Sequence, residues 1–174
     1  MLSLTNDNAA THTAAKPSAL RLADTNINPY TGLATDCLNH FNEAIMLLEM
    51  LSEMPDCRQD FIAWQPMSYS QHFHASQFKD REIAIAAYAA ADPARRAQLD
   101  ALANTMNDII MATREAVQLN LSALSMGNIA NLAVRWLKPL VARAGAIING
   151  TDAGNGVDGK SAPPQAVVDA LMAR

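Results

Sequence analysis

The sequence predicts an all-α fold: a single-domain helical bundle of four to six helices with flexible N- and C-terminal tails. Three observations carry this expectation. Apolar residues recur at three- and four-residue steps in every periodic segment, prolines and capping residues punctuate the chain at helix-length intervals, and no alternating run reads as a convincing strand. With 174 residues, 50% of them hydrophobic and 17% charged, the chain is long enough to bury the core of one domain.

Residues 1–28 are rich in Thr, Asn, Ala and Asp and lack periodicity. Too little apolar surface is available there to offset chain entropy, so a mobile tail is expected. Asn28-Pro29 and Tyr30-Thr31-Gly32 form a turn signal, and order is expected from residue 29. The first helix is expected from about Thr31 to Ser52, because Leu33, Cys37, His40, Ala44, Leu47 and Leu51 follow helical steps. Pro55 ends it. Asp56 with Gln59 reads as a capping pair for a short helix through Phe61 to Trp64. Pro66 breaks the chain again, and Ser68 with Gln71 matches the Ser-x-x-Gln capping box, in which two orphaned backbone donors are satisfied reciprocally. A third helix carrying His72 and His74 should start there.

The alanine-rich stretch from Phe78 to Ala91 combines helix propensity with an apolar side. Asp92-Pro93 is a restart, Asp as N-cap and Pro as first helical residue, for a long helix to about Leu121 along Leu99, Leu102, Met106, Ile109, Thr113 and Val117. Gly127-Asn128 is expected to interrupt the chain before a last core helix along Leu132, Ala133, Trp136, Leu137 and Leu140, which Pro139 should kink. The glycine-rich residues 150–159 read as a flexible linker, and Gln165 to Met172 as a short amphipathic helix. The expected organisation is therefore an N-terminal tail (1–28), a bundle (29–149), and a linker with a C-terminal helix (150–174).

Charge and composition narrow the function classes. A net charge of -4 gives no phosphate-tracking surface, so nucleic acid is not an expected partner. No apolar run approaches the ~20 residues that span a bilayer, so no transmembrane segment is expected. Met1-Leu2-Ser3-Leu4 lacks the basic and apolar regions of an export signal, and the two cysteines, Cys37 and Cys57, have no CxxC spacing. A reduced, cytoplasmic setting is expected.

One cluster carries candidate chemistry. Asp36, His40 and Glu43 are four and three residues apart, so on a helix they line one edge of the apolar stripe, and imidazole with carboxylate is a possible zinc or iron ligand set. His72 or His74 would have to complete such a set, but not both, since helical residues two apart project about 200° apart. The structural reading of the same cluster is a polar edge with His40 partly buried and bonded to Asp36 or to a facing carbonyl. Bundle di-iron centres use Glu-x-x-His pairs, whereas the order here is His40-x-x-Glu43. Hemerythrin-like and ferritin-like bundles share only the stretch Asn39 to Glu43 with this chain, and no family membership follows.

Other groups form no constellation. Ser68, Ser70, Ser76 and Cys57 lack a nucleophile motif, and no glycine-rich phosphate loop is present. Asp100, Asp108 and Glu115 fall off the apolar seam and read as a solvated face. The nine methionines read mainly as core filling, and Trp64 and Trp136 as core anchors. The expected function is a small interaction or regulatory protein with a protein partner or a second copy, without catalysis or a cofactor. The alternative is a metal- or small-ligand-binding bundle (Zn or non-haem Fe) at Asp36, His40, Glu43, His72 and His74. A third class is an amphipathic surface binder using residues 129–148.

Overall fold

Asn28 builds the first turn. Its Oδ1 accepts from the backbone N–H groups of Tyr30 at 2.9 Å and Thr31 at 3.1 Å, while the Gly32 N–H donates to the Asn28 carbonyl at 2.8 Å. Gly32 has φ +71°, and a Cβ there would lie 3.2 Å from the Ala87 carbonyl oxygen, so conformation and space both require glycine. The turn sets Ile27 beside Ala34 in an isolated antiparallel bridge. The computed structural model describes residue 22 and residues 25–51, 53–54, 56–119 and 121–152. Leu22 and Ile27, expected in the tail, are only 4% and 2% exposed. The bundle therefore recruits apolar side chains from a segment with no periodicity of its own. The remainder of the expected tail, most of the expected linker and the expected helix at 165–172 lie outside the described residues.

The first helix is shorter than its apolar period suggests. Thr31 donates its hydroxyl to the Ile148 carbonyl at 2.6 Å, and Ala34 is extended, so the chain enters a single 3-10 turn at Thr35–Leu38 before α1, Asn39–Met50. Next comes α2, Cys57–Ala63, without the expected Asp56 cap: Asp56 already has helical φ and ψ of -64° and -28°, and a side-chain cap needs an extended N-cap residue. The capping box does start α3, Tyr69–Ala75, with Ser68 N–H to Gln71 Oε1 at 2.8 Å and Gln71 N–H to Ser68 Oγ at 3.2 Å.

Then α4 spans Arg81–Ala90, and α5 spans Pro93–Gln118 with Asp92 Oδ1 accepting the Arg95 N–H at 2.9 Å. The last described helix, α6, covers Ala123–Asn149 and is capped by Ser122, whose Oγ accepts the Ser125 N–H at 3.2 Å. Gly127-Asn128 thus lies inside α6 rather than before it. One interior glycine costs about 1 kcal/mol, less than a capped start and the packing of the following turns contribute. The helix also runs through Pro139, whose side chain is exposed, so the carbonyl deprived of its donor lies on the solvent side.

These elements form an all-α bundle in which α5 and α6 pair most extensively; α1 packs on α6, α2 on α1 and α5, and α3 on α4 and the 3-10 turn. The core includes Phe61, Phe73, Leu48, Met106, Ile110 and Leu137, all fully buried. The apolar stripe of residues 129–148 faces this core through Ala130, Ala133, Val134, Leu137, Ala144 and Ile148, which removes the apolar face that a surface binder would use. Among the described residues no helix is long and apolar enough to cross a membrane.

Arginines close four helix C-termini. Arg58 donates to the Val117 carbonyl from Nε at 3.1 Å and Nη2 at 2.8 Å, Arg95 to Ile147 at 2.8 Å, Arg96 to Ala89 at 3.1 Å, and Arg114 to Trp64 at 3.2 Å. Each guanidinium supplies donors to orphaned carbonyls and positive charge to the negative end of a helix dipole.

Candidate functional site

His40 lies on the buried side of α1, 7% exposed. Its Nε2 is 2.7 Å from the Gln65 carbonyl, which only accepts, so Nε2 carries the proton. The ring stacks on Trp64 with centroids 4.4 Å apart and an 18° interplanar angle, and the Trp64 indole N–H donates back to the His40 carbonyl at 3.1 Å. The stripe of α1 thus turns the imidazole toward the loop after α2, and its partner is a facing carbonyl, not Asp36. Nδ1 is left 3.7 Å from Glu43 Oε2.

The ring of His72, on α3, has its centroid 6.2 Å from that of His40. Burial, and next the neighbouring His40, hold its pKa below the ordinary imidazole value, against an opposing pull from Asp36. Glu43 and His74 are exposed. Among the described residues no three His, Cys, Asp or Glu side chains are placed to hold one metal ion. The five residues of the expected metal alternative therefore do not assemble: the Nε2 of His40 is committed to Gln65, and the two-residue step from His72 leaves His74 in solvent.

The structure instead opens a cleft of about 430 Å³ between the 3-10 turn with α1, the start of α3, and α5. Leu38, Phe41, Leu99 and Met106 supply apolar wall, and His40, Ser68, Gln71 and His72 line it from the α1 and α3 sides. On α5 the spacing of Asp100, Asn104 and Asn107 places three polar side chains along one face of the helix. Tyr88 donates its hydroxyl to the Asp100 carboxylate, with oxygens at 2.6 and 2.8 Å, and stacks on Tyr69 at 4.4 Å and 13°. Tyr69 in turn accepts the Ala34 N–H at 2.9 Å. Both phenols are pushed well above the usual tyrosine range, Tyr69 first by burial and Tyr88 first by burial and then by its bond to Asp100.

Two features define what this cleft can do. Cys37 is an inert thiol: burial first, then the nearby Asp36, push it up to about 12, and Sγ lies 3.3 Å from the Ala34 carbonyl. Ser68 Oγ is occupied as a cap. No activated nucleophile lines the wall. Asn107 Oδ1, by contrast, is a buried acceptor without a hydrogen-bond partner; among the described residues only the Nε of Arg114 shares that condition.

Asp100, although off the apolar seam of α5, lies on the cleft wall instead of a solvated face, partly buried under Tyr88. Asp108 and Glu115 are exposed. The available signal was the four- and three-residue spacing of Asp100, Asn104 and Asn107 beside Leu99, Ala103 and Met106. Comparison with protein-family models, curated proteins and solved structures finds no match to this chain.

Proposed function

We propose that this protein binds a small organic molecule in the cleft between α1, α3 and α5. The single observation that carries the reading is the cleft itself, about 430 Å³, in which Leu38 and Ala103 stand beside a small set of polar groups that includes Asp100, Asn104 and His72. That volume is within the range of small-molecule sites, whose usual lining is apolar with a few convergent polar groups. Two free, buried thiols, Cys37 and Cys57, fit the cytoplasmic setting proposed with it.

The test is a fragment screen by amide NMR on the wild type and on Asn107→Leu. Compounds should shift resonances of Leu38, His72, Asp100 and Asn107 in the wild type. The variant should lose those shifts and, freed of the unpaired acceptor, be more stable than wild type by about 1 kcal/mol. A broad screen in which no compound moves a cleft resonance defeats the proposal.

A second reading, association with another copy of this chain, rests on Leu119 and Leu124, which are 60% and 75% exposed beside the α5–α6 turn. Sedimentation velocity decides it: the wild type should be dimeric and the Leu119→Ser, Leu124→Ser double variant monomeric. A monomeric wild type at high concentration removes this reading.

A further inference from the structure

Deepening the small-molecule reading, on which it rests, we infer that the cleft selects an amphiphilic amine: an apolar body with a protonated nitrogen at the Asp100 end. The lining contains no lysine or arginine, and Asp100 is its carboxylate. The Tyr88 hydroxyl has one proton to share between two carboxylate oxygens, so lone pairs on Asp100 remain available to a ligand donor. The Arg96 guanidinium lies over the Tyr88 ring, 5.6 Å from its centroid, and donates to the Ala89 carbonyl.

His72 adds no compensating cation, because burial and His40 favour its neutral form. A carboxylate or phosphate entering this cleft would therefore meet like charge and no strong donor, whereas an ammonium gains a charge-assisted bond. Ala103, which lines the cleft one turn along α5 from Asp100 and is only partly buried, offers apolar surface beside the carboxylate.

Three matched probes share a phenol and differ in the head group: tyramine (ammonium), tyrosol (neutral alcohol) and 4-hydroxyphenylacetate (carboxylate). Titrated into the full-length protein and followed by amide NMR, tyramine should shift cleft resonances at about ten-fold lower concentration than tyrosol, the fold-change of one charge-assisted bond, and the carboxylate should shift none. In Asp100→Asn the preference for tyramine over tyrosol should shrink to within about three-fold. Raising the salt should weaken tyramine and leave tyrosol unchanged in the wild type, a readout that needs no variant. Equal or tighter binding of tyrosol or the carboxylate overturns the inference but leaves a small-molecule site. Failure of all three probes where other fragments bind the cleft has the same meaning. A cleft silent to every compound overturns this inference and the proposed function together.

Discussion

Replacing His40 by alanine tests the packing of the α1 edge most directly. The substitution removes the Nε2–H that meets the Gln65 carbonyl at 2.7 Å and the ring that stacks on Trp64 at 4.4 Å. An abandoned acceptor costs about 1–3 kcal/mol when buried, and the low end applies because Gln65 is exposed and its carbonyl can recruit water. The lost stacking adds about 0.5–1.5 kcal/mol, and the vacated ring leaves a cavity. The bond from the Trp64 indole survives, since it ends on the His40 main-chain carbonyl. The expected loss is therefore about 2–3 kcal/mol, read by urea denaturation under far-UV circular dichroism, with a fall in Tm of roughly 4–12 °C. His40→Gln, which keeps a donor but not the stack, should recover about half. A loss below about 0.5 kcal/mol would refute the reasoning, as would near-stoichiometric zinc or iron in the wild type that disappears with His40.

Arg58→Ala should cost about 1–2 kcal/mol, because the guanidinium closes the C-terminus of α5, and Arg58→Lys should restore less than half, since an ammonium cannot bridge several carbonyls in a fixed fork; equal stability of wild type and Ala variant in urea would contradict this. Asp152 has its pKa lowered chiefly by its hydrogen bond to Arg95, at 2.8 Å. A depressed carboxylate stabilises the fold above its unfolded pKa and loses that contribution as pH falls through the folded one, so Asp152→Asn should be less stable than wild type at neutral pH and equal to it in strong acid. A pH-independent difference would dismiss the ion pair as the cause. Cys37, its thiol pushed up to about 12, should resist iodoacetamide at mildly alkaline pH until the protein unfolds; mapping of the modified peptide by mass spectrometry decides this.

What could be read from the residues divides along the range of the interactions involved. Ser68 with Gln71 and Asp92 with Pro93 are legible because a cap is made within one turn, and both helices start where those residues say. Asp56 carries the same local signal and fails, since its backbone is already helical. The late start of the first helix was hidden because the bond that holds Thr31 outside it reaches to Ile148, 117 residues away. The candidate site is less legible still. The apolar stripe of α1 indicates that His40 turns inward, but its partner is a loop carbonyl that no pattern announces. On a long helix, Asp100 and Asn107 look alike whether they face water or a cleft, and only the placement of Tyr88 and α3 distinguishes the two.

The arginine closures have a consequence for how the molecule comes apart. Three of them reach far along the chain: Arg58 to Val117 across 59 residues, Arg95 to Ile147 across 52, and Arg114 to Trp64 across 50. Helix ends ordinarily fray singly, because their last carbonyls answer only to water. Here the final turn of α2, α5 or α6 cannot open without releasing a side chain rooted in a different helix. Local opening is thereby coupled to opening elsewhere, and amide protons near these ends should exchange with the slow, shared rate of the whole bundle instead of the rapid rates of loose termini.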